Sequence, residues 1–513
     1  MKKIYPKQWL QYHPYTKTDA VDRYYCDIVN KLLKVIYEYD IAPDDPIIDT
    51  EELYQDTAIF LGAWFEDVIS QTGVWQAFTS ECEKRYGSRL PFYELNDNYF
   101  YDEINEEDIR FILWHCFQRV MNMKTYNPNH QSFIFLAEEI YAILFEEYET
   151  APENERLQQF FNFSDLTEDN FLEYRSKIEW FFMKSYINKG CEEDYLHSKE
   201  DLLFDLEHKK NFDIESANVM IYSHRVNTVL QERTPLLAIT APEYIKLIQE
   251  LHQASPEAPY MNIKAKEETF YLVDSETDDY FVFKALTEGQ TCYKVAKQSF
   301  DANARTLVPG DTLVTSSLFK YGEYWFHNGA MINYSISENP GMMDKMEELK
   351  SELSLKNEEK IYKEFIKATK GKPFVFFKDM EELADFVKKN LKYKNTLDYS
   401  KIGLINDFIM LSATPQKGLC IMRYGCECVA SPDNPYYDQK EAEKKAIALL
   451  TNDFFVPYEL VCYLYDKGYL KDAGFDTHKA PERGREFVRK NAQFLMDYSF
   501  NRYREKDYNR LPQ

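Results

Sequence analysis

Apolar residues recur at intervals of three and four over most of the first 255 residues, a periodicity typical of amphipathic helices. The clearest stretch covers 131–148, where the glutamates fall largely opposite a stripe of apolar side chains. That stripe consists of Phe133, Ala137, Ile140, Leu144 and Tyr148. A second stripe, over 105–123, begins with three acidic residues, which favour the N-terminus of a helix. We therefore predict a helical domain over residues 1–255.

The period changes near residue 260. The stretch ETFYLVDSETDDYFVFKAL contains two apolar, β-branched and aromatic runs around a polar turn, which predicts a hairpin. Further along, Pro309-Gly310-Asp311 and Asn328-Gly329 are turn signals, and Asn-Gly between apolar runs is among the strongest hairpin signals. We expect five to seven strands over 262–337, forming a small antiparallel sheet or barrel, and we assign residues 256–337 to this β domain.

The last part of the chain mixes both periods. Helices are predicted from the stripe Met342, Met346, Leu349 and Leu353 and over 438–450, 456–467 and 481–504, and strands from PFVFF and DFIMLSATP. Residues 338–513 are therefore predicted to form an α+β domain that ends in a basic amphipathic helix. The whole chain is predicted to be an α+β multidomain protein.

The formal net charge is −25, and it is unevenly spread. Residues 1–200 hold 38 acidic and 19 basic side chains, so their field repels phosphate and argues against broad nucleic-acid binding and adhesion to anionic membranes. No apolar run approaches the roughly 18 residues of a membrane helix, and no signal peptide is visible. Nine scattered cysteines form no disulfide framework. We predict a soluble, cytoplasmic protein without membrane association.

Three cysteines fall close together in GLCIMRYGCECVASP, with the spacing C-x5-C-x-C. As alternate residues of one strand, Cys420, Cys426 and Cys428 would share a face. A metal centre would need further ligands, for which Cys462 and His478 are the candidates, but structural zinc usually uses C-x2–4-C pairs. Cysteine is also among the most commonly buried residues. We therefore expect a buried strand, with these five residues kept as the metal candidates.

Other candidate chemistry is sparse. His115 could act as a general base, but no nucleophile lies next to it, so a boundary histidine with a satisfied hydrogen bond is expected. His327 precedes the Asn-Gly pair and is expected to be an exposed turn residue. The chain contains no G-x-S-x-G, H-E-x-x-H, G-x-x-x-x-G-K-[ST] or strand-linked G-x-G-x-x-G motif. We predict no catalytic residue, no cofactor-binding residue and no cofactor.

The C-terminal segment carries the opposite charge. Residues 479–513 hold nine basic and five acidic side chains, and their apolar residues lie at helical spacing. Such a helix could pack on the acidic first part of its own chain, bind an acidic partner or contact nucleic acid. We expect intramolecular packing.

Three segments carry a resemblance to a known family. They are YPKQWLQYHPY (Tyr5 to Tyr15), SPDNPYYDQKEAEKKA (Ser431 to Ala446) and VPYELVCYLYDKGYLKDAGF (Val456 to Phe475). These segments resemble bacterial proteins grouped only as a domain of unknown function, and the similarity is clearest at the two ends of the chain. The resemblance implies a bacterial cytosolic protein and carries no activity, cofactor or catalytic residue.

The acidity, the 40 Tyr and 36 Phe and the lack of a site motif favour a non-catalytic protein-binding or scaffold factor with an unidentified protein partner. The first alternative is nucleic-acid binding through the β domain and the basic C-terminal helix. The second alternative is an enzyme whose site forms between domains and is not visible as a motif. The sequence leaves the oligomeric state open.

Overall fold

The structure of the chain is a computed structural model. It describes residues 2–41, 48–121, 125–163, 166–208, 214–255, 258, 261, 263–286, 291–300, 307–339, 341, 357–391, 408–415, 417–452, 456–475 and 481–500.

The described residues form helices at both ends of the chain and strands between them. The helices are α1 Pro6–Trp9, α2 Ala20–Tyr39, α3 Thr50–Ser70, α4 Val74–Tyr86, α5 Glu106–Arg119, α6 Gln131–Tyr148, α7 Glu155–Phe161, α8 Phe171–Lys184, α9 Cys191–Glu207, α10 Ile214–Gln231, α11 Ala241–Leu251, α12 Asn357–Ala368, α13 Met380–Asn390, α14 Gln439–Thr451, α15 Tyr458–Asp466 and α16 Pro481–Ser499. The strands are β1 Lys264–Glu276, β2 Tyr280–Ala285, β3 Cys292–Ala296, β4 Thr312–Tyr321, β5 Tyr324–Ser335, β6 Phe374–Phe377, β7 Ile409–Thr414 and β8 Gly418–Met422. The predicted α+β class is confirmed.

The helical part is organised around α5. On one side α5 packs against α6, which also contacts α2, and α2 lies along α3. Helix α2 begins at Asp19, whose carboxylate accepts from the backbone N–H groups of Val21 and Asp22 and so satisfies donors that the first turn leaves open. One continuous cluster of buried side chains runs from Ile4 to Phe500, so the two ends of the chain share a core.

Strands β1 to β5 close into a barrel with the order β1-β2-β3-β5-β4. All neighbouring pairs are antiparallel except β3 and β5, which meet in parallel at Val295 and Trp325. This order is the order of OB-type barrels. The interior is filled by alternate side chains, including Tyr271, Val273, Phe281, Phe283, Val295, Val314 and Leu318.

The barrel rests on the helical part through β1, β4 and β5: α10 contacts all three strands, and aromatic side chains of α8 pack on β4 and β5. Phe171 stacks on Phe326 with ring centroids 4.3 Å apart, and Tyr174 stacks on Tyr321 at 5.4 Å. Arg175 also donates to the backbone oxygen of Asn328 at 3.1 Å. The outer face of β2 and β3 lies away from this contact.

Strands β6, β7 and β8 form a three-stranded antiparallel sheet in that order. Helices α12 and α13 cover one face, where Phe365, Leu383 and Val387 pack on Leu411. Phe374, Met410 and Met422, by contrast, belong to the large shared core. The strands predicted from PFVFF and DFIMLSATP are confirmed, whereas the Met342–Leu353 stripe lies outside the described residues.

Helix α16 docks on the first part of the chain, as expected from its apolar stripe. Phe494 packs against Phe92, Phe111 and Trp114, with ring centroids 5.3 to 6.4 Å apart. The buried carboxylate of Asp497 accepts hydrogen bonds from the hydroxyls of Tyr86 and Tyr458. The boundaries at 255 and 337 stay predictions, because a shared core is compatible with more than one division of the chain.

Two turn predictions had different outcomes. Pro309-Gly310-Asp311 is a turn before β4, and Gly310 has a φ of 78°. The prediction of a turn at Asn328-Gly329 was wrong, because both residues lie inside β5 and the β4–β5 turn forms at Gly322 instead. His327 is therefore a strand residue with 7% of its surface exposed, not an exposed turn residue.

None of the described helices combines the length and the apolar character needed to cross a membrane.

Candidate functional site

Helix α6 is apolar on two opposite sides, and the described residues cover only one of them. Its inner stripe, which includes Phe133, Leu136, Ile140 and Leu144, is buried against α2 and α5. Phe135 and Phe145 point outward and are 49% and 61% exposed. We call the outward surface the α6 face; it consists of Phe135, Glu138, Glu139, Ala142, Phe145 and Glu146, all of which are exposed.

The spacing of these residues explains why they form one surface. They are three pairs of positions seven apart, and seven residues make nearly two turns, so each pair lies along one row of the helix. Tyr141 lies at the edge of the face and stacks on Phe145 with ring centroids 5.8 Å apart. The α6 face therefore presents aromatic rings over about three turns.

The same face carries negative charge that the described residues leave unbalanced. Glu138, Glu139 and Glu146 have no hydrogen-bond or ion-pair partner among the described side chains. The next residue, Glu147, lies outside the α6 face. Unlike the three glutamates of the face, it has partners, because it pairs with Lys31 and accepts a hydrogen bond from the Tyr24 hydroxyl. The α6 face is thus aromatic and acidic, with carboxylates available to an external cation.

A second open surface lies on the barrel. Residues of β2 alternate between the interior and the outside, and the outward ones stand beside outward residues of β3 and β5. We call this surface the barrel face; it consists of Tyr280, Val282, Lys284, Cys292, Lys294 and Tyr324. The rings of Tyr280 and Tyr324 are 5.8 Å apart, and the Lys294 ammonium lies 5.4 Å from the Tyr280 ring.

The charge of the barrel face is mixed. Lys284 and Lys294 point outward, and neither has a carboxylate partner among the described residues. The turn between β1 and β2, however, contains Asp278 and Asp279, both exposed, directly before Tyr280. The face can therefore stack planar groups on its two tyrosines. It can bind anions beside Lys284 and Lys294, whereas the carboxylates of Asp278 and Asp279 repel anions at the other end.

The cysteine-rich segment differs from the predicted continuous strand. Strand β8 ends at Met422, Gly425 adopts a φ of 79°, and residues 426–428 form a short 3-10 helix. Cys426 and Cys428 are fully buried, so burial was predicted correctly although the strand was extended too far. Cys420 remains in β8 and is partly exposed.

Burial disfavours ionisation of the thiols in the cysteine-rich segment. The Cys426 thiol lies 3.5 Å from the Met422 carbonyl oxygen, and burial raises the pKa of Cys428 to about 12 and that of Cys420 to about 11. A thiolate is the metal-binding and nucleophilic form, so these groups are poorly prepared for either role at neutral pH. Within the described part of the chain, no three His, Cys, Asp or Glu side chains are grouped to hold a metal ion. Cys462 is buried on α15, and His478 lies outside the described residues.

His115 lies inside the junction between α5 and α16. It is 2% exposed, and its Nδ1 is 2.9 Å from the Tyr498 hydroxyl. Burial and the neighbouring Arg119 lower its pKa to about 3. The expected hydrogen bond is present, but the residue is in the core rather than at its boundary.

One buried polar cluster contains residues that sequence reasoning did not select. His13 Nε2 is 2.8 Å from Glu66, which also accepts from the Asn154 side-chain amide at 2.8 Å. The Asn154 amide reaches the Tyr15 hydroxyl, which donates to Asp22. His13, Asp22, Glu66 and Asn154 are almost wholly buried, so the cluster fastens the N-terminal segment to α2, α3 and α7 rather than opening a site. Its only sequence signal is that His13 and Tyr15 lie in the first family-like segment.

The fold and its two open surfaces define an α+β protein with a helical body, an OB-type barrel and a small three-stranded sheet. The chain belongs to the family described as "Protein of unknown function (DUF3843)", whose model matches residues 3–291 and 326–501. The resemblance drawn from the ends of the chain is thereby confirmed. The match includes all of α6 and omits 292–325, which contain β3 and β4. No curated protein and no solved structure matches the chain.

Proposed function

We propose that this is a cytoplasmic protein-binding factor and that the α6 face binds a basic, apolar segment of its partner. The observation that supports this most strongly is the coincidence, on one helix face, of two exposed phenylalanines with three carboxylates that have no described partner. All nine cysteines keep their thiols, which suits a reducing compartment. We propose binding and no catalytic activity.

The chemistry of the face defines the partner segment. Burying one Phe side chain contributes about 1.5–3 kcal/mol, so Phe135 and Phe145 together can anchor a weak to moderate interface. The carboxylates between them select lysine or arginine and disfavour an acidic segment through repulsion. An amphipathic helix with a basic border matches both requirements.

The direct test measures binding of a fluorescent, helix-forming peptide of Leu and Lys to the full chain by anisotropy. We expect saturable binding that weakens at least tenfold in the Phe135→Ser/Phe145→Ser variant, because the loss of two apolar anchors exceeds the 1.4 kcal/mol that a tenfold change represents. A peptide with Glu in place of Lys is expected not to bind.

Phe204→Ser is the matched control, because Phe204 is 63% exposed on α9 and lies outside the α6 face. It should leave the affinity unchanged, which separates local recognition from general attraction of a cationic peptide to an acidic protein. Equal affinities for the double variant and the parent protein would remove the α6 face as the binding surface.

A second candidate function is binding of single-stranded nucleic acid on the barrel face. It is supported by the OB-type strand order together with the exposure of the β2–β3 side, which is the side that OB barrels use for oligonucleotides. Tyr280 and Tyr324 could stack two bases, and Lys284 and Lys294 could contact the backbone. The basic helix α16 is not part of this candidate, because it is docked in the core.

A labelled oligothymidylate of about 12 nucleotides, within the site size of OB barrels, tests this candidate on the full chain at low and moderate salt. Binding should weaken with salt and fall about tenfold in Tyr280→Ala, since one stacked base contributes about 1–3 kcal/mol. Tyr424→Ala, at another exposed tyrosine, is the control. Absence of binding at low salt would exclude the candidate.

A further inference from the structure

A cleft of about 410 Å³ lies between the first part of the chain and α16, and it shares no lining residue with the α6 face or the barrel face. It is lined by Phe92, Tyr93, Glu94, Glu107, Arg110, Asn129, Arg483, Glu486, Phe487 and Lys490. Its volume falls in the range of small-molecule sites, and it lies where two distant parts of the sequence meet, as such sites often do.

The wall of the cleft is aromatic and conformationally strained. Phe92 stacks on Phe487 with ring centroids 5.8 Å apart and an interplanar angle of 26°. Phe92 has a φ of 81°, which is rare for a bulky residue, and its backbone N–H donates to the Asn491 side chain at 3.0 Å. Strained residues of this kind concentrate at binding sites, where the surrounding structure holds a side chain in position.

The polar groups around these rings are of both signs. The Lys490 ammonium forms an ion pair with the Glu94 carboxylate, with Nζ and Oε1 2.9 Å apart. The Arg110 guanidinium lies 4.5 Å from the centre of the Tyr93 ring, and one of its Nη atoms donates a hydrogen bond to the Asn129 side-chain oxygen. Its Nε is buried and forms no hydrogen bond with a described atom. Arg483, Glu107 and Glu486 have no partner among the described residues. The cleft thus offers guanidinium and carboxylate groups beside an aromatic surface.

From this geometry we propose that the cleft binds an aromatic α-amino acid. The ring lies against Phe487 and Tyr93, the α-carboxylate binds Arg110 or Arg483, and the α-ammonium binds Glu107 or Glu486. A ligand with a single charge would leave one set of groups without a counterion, whereas a zwitterion satisfies both. This inference is independent of the α6 face and of the barrel face.

The test titrates the full chain with L-tryptophan by calorimetry, alongside two analogues that each lack one charge. N-acetyl-L-tryptophan lacks the ammonium and resembles a peptide C-terminus, and L-tryptophanamide lacks the carboxylate and resembles a peptide N-terminus. We expect L-tryptophan to bind at least tenfold more tightly than either analogue, because each loses a charge-assisted hydrogen bond. If an analogue binds as tightly as the free amino acid, the site accepts a peptide end and the proposal is wrong.

Two arginine substitutions on α16 distinguish binding in the cleft from a general effect of charge on affinity. Arg483→Gln removes a cleft cation and should weaken L-tryptophan binding about tenfold. Arg489→Gln removes an equal charge from the same helix, but Arg489 pairs with Glu482 and does not line the cleft, so affinity should be unchanged. Phe487→Leu should also weaken binding. The proposal is overturned if both arginine variants behave alike or if no saturable binding appears at millimolar ligand.

Discussion

Two helices that both pack against α5, α6 and α16, differ in how their polar residues are used. Helix α16 is rich in arginine and lysine, and three of its cations are paired with carboxylates: Arg485 and Arg489 with Glu482, and Lys490 with Glu94. Arg483, which lines the cleft, is the exception. Helix α6 has an ordinary amphipathic stripe, yet its outer carboxylates have no partner among the described residues and two phenylalanines stand exposed beside them.

This difference shows that the charge of a helix does not by itself mark an interaction surface. What distinguishes α6 from α16 is that neighbouring elements bury the large apolar side chains of α16 and pair three of its cations. The outer phenylalanines and carboxylates of α6 have no such cover or partner among the described residues. The basic helix serves the fold of its own chain, whereas the acidic helix has a face that the described residues leave open. The substitutions below change one helix at a time and should produce opposite results.

The largest effect is expected from Phe494→Ala on α16. Phe494 is 1% exposed and lies among Tyr86, Phe92, Phe111 and Trp114, so its removal leaves a cavity between α16 and the first part of the chain. We expect the free energy of unfolding to fall by about 3–5 kcal/mol in urea denaturation. The same substitution at Phe145 on α6 should change it by less than about 0.5 kcal/mol.

The next largest effect is a pH dependence of the free energy of unfolding, which arises from His115 at the α5–α16 junction. The pKa of His115 is about 3 in the folded protein and near 6.5 in an unfolded chain, so the fold favours the neutral ring. The stability that this contributes is complete above pH 6.5 and is lost as pH falls from 6.5 towards 3, by about 1.4 kcal/mol per pH unit.

His115→Gln isolates this contribution, since glutamine can still bond to the Tyr498 hydroxyl but does not titrate in this range. The difference in unfolding free energy between parent and variant should shrink by about 3 kcal/mol between pH 7 and pH 4.5. Asp108, also on α5, has a pKa raised to about 7 by burial and acts in the opposite direction, so the comparison between variants is essential. A pH-independent difference would show that His115 is not buried as a neutral ring.

A smaller effect is expected from Asp497→Asn on α16. The Asp497 carboxylate accepts from Tyr86, Tyr458 and Gln493, and an amide can accept at one oxygen only. A loss of about 1–3 kcal/mol should follow in urea denaturation. Lys490→Gln, which breaks an exposed ion pair on the same helix, should cost about 0–1 kcal/mol. Equal losses would mean that the docking of α16 depends on surface charge rather than on its buried face.

Sequence periodicity was sufficient for most of the helices, the barrel strands and the docking stripe of α16. It could not give the β3–β5 pairing, which depends on two segments far apart in the chain. Nor could it assign the second face of α6, because Phe135 and Phe145 become informative only once the inner stripe is known to be covered.

The turn predicted at Asn328-Gly329 and the continuous strand predicted through the cysteine-rich segment were wrong for the same reason. Gly329 follows Asn328 as in a hairpin turn, but a Cβ there would lie 2.4 Å from the Tyr222 hydroxyl of α10, so the close approach of a helix requires glycine within a strand. Gly425, three residues beyond the end of β8, must also be glycine, since a Cβ would lie 2.8 Å from a Leu449 methyl group of α14. In both cases a contact between distant elements overrode the local signal. The cleft beside Phe92 was likewise invisible, because its two walls are separated in the sequence.

The smallest effect on stability, and the sharpest test of the comparison, is expected from Glu138→Gln/Glu139→Gln/Glu146→Gln on α6. Because none of these carboxylates has a described partner, the free energy of unfolding should change by less than about 0.5 kcal/mol, with a slight gain from reduced self-repulsion. The affinity for the cationic peptide should nevertheless fall, and its dependence on salt should become weaker than in the parent protein. Glu482→Gln on α16 is the matched control, because that carboxylate already pairs with Arg485 and Arg489 and should not contribute to peptide binding. If the triple variant instead loses stability, the carboxylates of α6 serve the fold, as the paired groups of α16 do.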